Sequence, residues 1–266
     1  MVKDRRQAGF SLTETLLAVG TLAIGMMFIS GTFLTGVFFS TMSTERTIAA
    51  VAADEAFAKI RIDALDPNSG VLRTDGFVLY EPLAGVPADE GHLYPSTRLE
   101  PQRQYSWSAM CRRMSDQSRL VQCTVFLCRQ TAGATYWVRR DGTGGPQLGT
   151  AGLPQPVRVN IVQDAASAQA TPDVVSLKDA VPSDGIDELG FVSDGSLLVD
   201  DATGQIYRVL ERFGTPSDRL RLDRPWTGGV LSSATGGWVW VVPPATSGGR
   251  HPLVAVYQDV LRFPGN

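Results

Sequence analysis

The chain has 266 residues, 43% of them hydrophobic, and a formal net charge of −3, which allows a membrane segment and one or two folded domains. From Glu45 to the end, 21 Lys and Arg stand against 25 Asp and Glu, and this balance argues against nucleic-acid binding along the whole body. Three Cys and two His at their spacings make a poor zinc site, and hydrolase and phosphate-loop motifs are absent. We therefore expect a protein that is not an enzyme and holds no cofactor or metal.

Residues 1–9 form a short, basic, polar leader that precedes a long apolar run. No charged residue occurs between Thr15 and Thr44, which exceeds the roughly 20 residues needed to cross a bilayer as a helix. A secretory signal has a shorter apolar core and a small-residue cleavage site after it, and both features are missing here. The pattern places processing before the run, between Gly9 and Phe10. Glu14 is costly at the membrane unless it is paired, so it marks a functional position.

A six-residue motif opens the apolar run: Gly9, Phe10, Ser11, Leu12, Thr13 and Glu14. This motif resembles that of type IV prepilins and of the pseudopilins of type II secretion, and the resemblance covers about the first quarter of the chain. It implies that a prepilin peptidase cuts after Gly9 and that the new amino terminus, Phe10, is methylated.

A buried charge must be paired, so we expect Glu14 of one subunit to pair with the Phe10 amine of its neighbour and set the register of a filament. The alternative is that Glu14 lies in the headgroup layer of an ordinary signal anchor.

The helix is predicted to span residues 10–62, with a membrane half at 10–44 and an amphipathic half at 45–62. In the second half, charged residues alternate with Ile48, Val51, Ala52, Ala56, Phe57 and Ile60 in a 3.6-residue period with an Ala-rich face, so this half is expected to pack under the β body. Turn-forming residues at 63–70 end the pattern. Four glycines in the first half either soften the helix or allow close helix packing, and the sequence leaves both readings open: Gly20, Gly25, Gly31 and Gly36.

A first β region is predicted at 63–141, with its clearest signal in a hairpin at 104–128. Alternation of apolar and polar residues at 104–112 and 119–128 predicts two antiparallel strands. The register that puts both apolar faces on one side sets Cys111 opposite Cys123, Ala109 opposite Val125 and Trp107 opposite Leu127. Residues 71–80 and 135–140 are further strand candidates, the latter as the third strand of a meander, and 82–101 is expected to be loop.

Residues 142–156 are rich in Gly and Pro and form either a linker or a surface loop. The C-terminal β region at 157–266 is either a second all-β lobe or an extension of the first sheet. Its predicted strands are 157–163, 189–192, 196–200, 205–210, 219–223, 238–242 and 253–263, with an exposed loop at 165–172. The fold class is therefore α+β, with a long N-terminal transmembrane helix and a β-rich, pilin-like body that contains an antiparallel sheet.

Two sets of side chains carry further hypotheses. Cys111 and Cys123 are the favoured disulfide pair, because Cys123 and Cys128 point to opposite faces of one strand; the alternative is three buried thiols. Asp194, Asp200 and Asp201 are weak calcium candidates in hairpin turns, where Asp also occurs without a metal.

Charge is uneven along the chain, with eight Arg and two acidic residues between Arg98 and Arg140. Four aromatic residues lie in this segment: Tyr105, Trp107, Tyr136 and Trp137. The segment would suit contact with DNA, but arginines more often pair with acids elsewhere in the fold and alternating aromatics more often form core. We favour the structural interpretation.

These observations predict a minor pilin or pseudopilin, a structural subunit that assembles into or initiates a type IV pilus or a type II secretion pseudopilus. Its expected partners are the prepilin peptidase, other pilin or pseudopilin subunits, an inner-membrane assembly platform and membrane lipid. The basic leader is expected to stay in the bacterial cytoplasm, which puts the body in the periplasm. The alternative is a β-domain binding module held outside the cytoplasm by a signal anchor and not incorporated in a filament.

Overall fold

The computed structural model describes residues 11–63, 70–80, 83, 92–95, 104–115, 119–130, 134–139, 146–148, 153–163, 165–182, 185–215, 218–229, 236–246 and 248–263. The chain divides into two units, residues 1–48 and 49–266. Each unit is described by itself.

Helix α1 spans Leu12–Ile62 and confirms the prediction of one long N-terminal helix. Ser11 precedes it, and the Ser11 carbonyl accepts the backbone N–H groups of Glu14 and Thr15 at 3.0 and 3.1 Å. The first unit contains the apolar part of this helix. The second unit begins within the helix and contains the β-rich body.

The part of α1 in the second unit is amphipathic, and its buried stripe follows the helical repeat. Val51, one of the apolar residues of the pattern, lies outside this stripe and is 53% exposed. The buried stripe is rich in Ala, as predicted, and its members follow one another at steps of three and one: Ala49, Ala52, Ala53, Ala56, Phe57 and Ile60. Lys59 and Glu55 form an ion pair at 2.9 Å in which both side chains are partly buried, and Arg61 reaches Asp259 of the body at 2.8 Å.

An antiparallel sheet packs against this helical stripe. Its central strands are β3 (Tyr105–Arg113) and β4 (Leu120–Arg129). Two short strands, β1 (Val78–Leu79) and β2 (His92–Tyr94), line the outer edge of β3 one after the other. The predicted register is confirmed, since Cys111 pairs with Cys123, Ala109 with Val125 and Trp107 with Leu127.

The neighbour of β4 corrects the predicted meander. Residues 135–140 do not form the third strand of this sheet; β5 (Trp137–Arg139) instead pairs with β6 (Pro146–Leu148), which lies in the predicted Gly/Pro-rich segment. The strand beside β4 is β13 (Leu253–Arg262), from the end of the chain. A contact between residues so distant in sequence leaves no local signal.

Six strands between residues 157 and 241 close into an antiparallel barrel. They are β7 (Val157–Val162), β8 (Val174–Lys178), β9 (Leu197–Asp200), β10 (Ile206–Phe213), β11 (Arg219–Leu222) and β12 (Gly237–Val241). Their order around the barrel is β7, β8, β11, β10, β9, β12 and back to β7. The C-terminal β region thus supplies both a second lobe and one strand of the first sheet.

The structure differs from the local predictions at four places. Residues 165–172 are not a loop, because helix α2 (Ala165–Ala170) forms there from a run rich in Ala, the best helix former. Residues 189–192 are not a strand, since a 3-10 helix occupies Glu188–Phe191 and the Asp187 side chain caps it. Strand β8 was not predicted, and within 82–101 the structure places β2 where loop was expected.

Three apolar clusters hold the second unit together. One lies between α1 and the sheet and includes Ala52, Trp107 and Cys111. Another fills the barrel and includes Ile161, Tyr207 and Leu220. The third joins the opposite face of the sheet to the outside of the barrel, where Met110 and Phe126 belong to the same cluster as Trp240. The sheet is therefore covered by α1 on one face and by the barrel on the other.

Candidate membrane and assembly site

The first unit presents a helix surface that is apolar on every side. Residues 26–29 are consecutive and are 59–79% exposed: Met26, Met27, Phe28 and Ile29. Successive residues are roughly 100° apart around an α-helix, so these four span its whole circumference. A helix without a polar face is unstable as an isolated element in water and requires lipid or other apolar helices around it.

Threonine hydroxyl groups in this segment bond to the helix itself. The Thr32 hydroxyl donates to the carbonyls of Phe28 and Ile29 at 3.1 and 2.9 Å. Thr35 and Thr41 donate in the same way to the carbonyls of the residues four positions earlier, both at 2.9 Å. Since a polar group in hydrocarbon must find an internal partner, these bonds allow the hydroxyls to enter an apolar environment.

Helix α1 satisfies the length and hydropathy criteria of a membrane span. Its uncharged run of residues 16–43 is longer than the roughly 20 residues that a bilayer requires. Such a helix is compatible with a membrane anchor and with a signal sequence. The predicted N-terminal apolar helix is therefore present as an exposed element.

Glu14 lies in the first turn of α1 and is exposed. A carboxylate in that turn interacts favourably with the positive end of the helix dipole. Ser11 and Glu14 also stand at the spacing of a capping box, a signal that the prediction of a pairing role did not take into account. Glu14 is thus placed to support the start of the helix. Gly9 and Phe10, the predicted cleavage and methylation residues, lie outside the described residues.

The structure brings Cys111 and Cys123 together and separates both from Cys128. The Sγ atoms of Cys111 and Cys123 lie 2.9 Å apart, and both residues are fully buried on the face of the sheet that packs against α1. Cys128 belongs to the cluster on the opposite face, where burial raises the pKa of its thiol. The three cysteines are thiols in this structure.

The three calcium candidates do not converge. Asp194 and Asp200 lie near opposite ends of β9, and a carboxylate oxygen of Asp194 accepts the Arg212 backbone N–H at 2.8 Å. Among the described residues, no group of three or more His, Cys, Asp and Glu side chains is placed to hold a metal ion. Asp200 accepts the N–H groups of Ala202 and Thr203 at 3.3 and 3.1 Å, so it closes the turn after β9.

Asp201 has a structural role that the sequence did not indicate. Its Oδ1 atom accepts the Phe77 backbone N–H at 3.0 Å and the Trp240 indole N–H at 2.7 Å. Its Oδ2 atom accepts from Arg158 at 3.0 Å, and the Arg158 guanidinium lies 4.6 Å from the ring centroid of Trp238. Asp201 therefore links the segment that leads into β1 to two strands of the barrel.

The turn at residues 200–204 is also held by side chains from the sheet. Arg112 donates to the carbonyls of Ala202 and Thr203, and Gln258 donates to the Gly204 carbonyl at 2.7 Å. Burial lowers the pKa of the Arg112 guanidinium and raises the pKa of the Asp200 carboxyl, and the charges of Asp200 and Asp201 partly offset the effect on Arg112. A polar junction thus joins the barrel to the sheet.

The described residues of the Arg-rich segment at 98–140 mainly make contacts within the body. Trp107 and Tyr136 are buried, and the Trp137 ring packs on Phe191 with centroids 5.0 Å apart. Arg112 bonds to the turn at 200–204, and Arg129 donates to the His251 carbonyl at 3.4 Å. These contacts favour the structural interpretation of the segment.

Comparison with protein-family models, curated proteins and solved structures yields no match for this chain. The class that the described residues define is therefore broad: a β-rich body with a five-stranded sheet, a closed barrel and a two-stranded sheet, preceded by a long apolar helix.

Proposed function

We propose that the chain is a pilin-like subunit, a minor pilin or pseudopilin, that assembles into or initiates a type IV pilus or a type II secretion pseudopilus. The carrying observation is the Gly9–Glu14 motif at the head of a helix whose surface around residues 26–29 is apolar on all sides and exposed. A plain anchor needs only such a helix. A filament subunit also needs the Gly9–Phe10 processing site and an acid at the head of the helix, and the sequence has both.

Processing precedes assembly in this proposal. The prepilin peptidase removes residues 1–9, and the new Phe10 amine is methylated. The apolar part of α1 remains in the inner membrane, with the leader side in the cytoplasm and the body in the periplasm. The inner-membrane assembly platform is the partner at this step. On extraction into the filament, the apolar surface of α1 exchanges its contacts with lipid for contacts with the helices of neighbouring subunits.

Glu14 sets the register of that assembly. Its carboxylate lies in the first turn of α1 and pairs with the cationic Phe10 amine of a neighbouring subunit. Inside a bundle of apolar helices an unpaired charge is strongly unfavourable, so one axial offset is selected. The size of the body, a sheet plus a barrel, favours a minor subunit, because so large a body would crowd a dense helical array.

The first test is the intact mass of the protein purified from its native membrane, with mapping of its N-terminal peptide. We expect a chain that begins at methylated Phe10. A chain that still begins at Met1 or Val2 would refute the filament-subunit proposal and would leave a signal-anchored β-domain binding module.

The second test replaces Glu14 with Gln, which retains size and polarity and removes the charge. We expect normal processing and a loss of filament incorporation on the order of tenfold or more, because the Phe10 amine loses its partner. Asp54→Asn is the matched control, since it removes an exposed carboxylate from the body part of the same helix. Equal incorporation of the two variants, measured in sheared filament fractions, would refute the pairing role.

A further inference from the structure

Cys111 and Cys123 face each other on the two central strands of the sheet. They are register partners in the antiparallel pair β3 and β4, so their Cα atoms are held side by side by the strands themselves. Both side chains are 0% exposed, and their Sγ atoms are 2.9 Å apart. Two sulfur atoms at this separation need little further movement to bond, whereas cysteines on diverging strands would need the backbone to shift.

Cys128 provides an internal contrast. It lies on β4 five residues after Cys123, so its side chain points to the other face of the strand. The structure places it with Met110 and Phe126 on the barrel side of the sheet. A bond from Cys128 to either other cysteine would have to pass through the sheet.

We propose that Cys111 and Cys123 form an intramolecular disulfide that ties β3 to β4 beneath α1, and that Cys128 remains a thiol. The bond requires an oxidising compartment, and in this respect the inference rests on the periplasmic position of the body in the proposed function.

The chemistry is thiol–disulfide exchange with an oxidised disulfide carrier, either a small molecule or a dithiol protein. One cysteine thiolate attacks a carrier sulfur, which breaks the carrier's S–S bond and forms a mixed disulfide. The second thiolate then displaces the carrier and closes the Cys111–Cys123 bond. The carrier leaves with two thiols, having taken up the two electrons of the cysteine pair, while the two cysteine protons pass to the carrier or to water.

The buried position of Cys111 and Cys123 beneath α1 determines when during folding the disulfide can form. The cysteines belong to the same buried cluster as Ala52 and Ala56 of α1, so a carrier cannot reach them once the helix is packed. The disulfide therefore forms on the hairpin before the helix covers it. After packing, a reductant added to the folded protein should act at least ~10-fold more slowly than the same reductant in denaturant. Equal rates would overturn the buried position of the bond.

The direct test uses protein from its native membrane, quenched with acid, alkylated with iodoacetamide in denaturant and digested with trypsin. Cleavage after arginine separates residues 104–112 from residues 120–129. We expect these two peptides to be joined by a disulfide at Cys123, with Cys128 alkylated. Alkylation of all three cysteines, or a bond that involves Cys128, would overturn the proposal.

Refolding the full chain with oxidised glutathione tests whether Cys111 and Cys123 pair without the cellular compartment that the proposed function assumes. We expect equal cross-linked fractions for the unchanged chain and Cys128→Ala, and none for Cys123→Ala. An equal loss in both variants would overturn the pairing. The intact mass of the native sample reports the N-terminus independently: a chain that starts at Phe10 with three thiols overturns the disulfide alone, and a disulfide-linked chain that starts at Met1 overturns the filament subunit alone.

Discussion

Asp201→Ala should destabilise the body more than any change at an exposed turn. The substitution removes the acceptor for the Phe77 backbone N–H, the Trp240 indole N–H and the Arg158 guanidinium at once. The Asp201 side chain is 12% exposed and the Arg158 side chain 27%, so water replaces the lost acceptor poorly. The two sides of the junction between sheet and barrel would then be left with unmatched donors.

The expected loss in free energy of unfolding is about 3–5 kcal/mol, the range for breaking a largely buried ion pair by removal of one partner. For a body of this size that corresponds to a fall in melting temperature of about 10 °C. Asp201→Asn keeps an oxygen acceptor for Phe77 and Trp240 and turns an amide donor toward Arg158. The loss in free energy of unfolding for Asp201→Asn should be intermediate, about 2 kcal/mol.

Urea unfolding of the full chain in detergent, followed by tryptophan fluorescence, measures these changes as shifts of the urea midpoint. The slope of the unfolding free energy against urea concentration should stay constant. The matched control is Asp194→Ala, which removes one hydrogen bond, from the Arg212 N–H, in an exposed turn. Its loss should be about 1 kcal/mol. A loss for Asp201→Ala no larger than that of the control would refute the role assigned to the junction.

Two further predictions use the same unfolding measurement. Ala52 is fully buried between α1 and the sheet, so Ala52→Leu should lower the free energy of unfolding by about 1–3 kcal/mol through overpacking. Ala50 is exposed on the same helix, and Ala50→Leu should change the free energy of unfolding by about 0.5 kcal/mol at most. Equal effects of the two substitutions would contradict the packing of α1 on the sheet. Burial lowers the pKa of His251, so the unfolded chain binds the proton more tightly. The free energy of unfolding should therefore fall as the pH drops below 6.5 toward the lower pKa of folded His251. His251→Gln should reduce the dependence of the free energy of unfolding on pH between pH about 7.5 and about 5.5. An unchanged pH dependence would contradict the prediction.

Local periodicity predicted the parts of the fold that local contacts determine. The hairpin register followed from alternation on two adjacent strands, and the parity of Cys111, Cys123 and Cys128 along them follows from the same repeat. The helix and its Ala-rich face were equally clear, although the repeat alone did not show that Val51 would lie outside the buried stripe. The Ala residues of the stripe allow a close approach between helix and strands.

Long-range pairing accounts for most of what the sequence did not predict. The barrel closes because β12 pairs with both β7 and β9, and the sheet is completed by β13 beside β4; neither contact has a signature within a short window. Strand β8 has only five residues, and its pairing with β7 on one side and β11 on the other gives it its place.

Asp200 and Asp201 illustrate why the chemistry of a turn is ambiguous before its surroundings are known. Two adjacent acids after a strand are compatible with a metal, with a hairpin turn or with an ion pair. Here Asp200 bonds within the turn, while Asp201 turns toward Arg158 and Trp240 on neighbouring barrel strands. Because β7 and β12 bring those partners together only when the barrel closes, the role of Asp201 depends on contacts that the sequence around it does not contain. Asp200 and Asp201 therefore stabilise the junction between the sheet and the barrel.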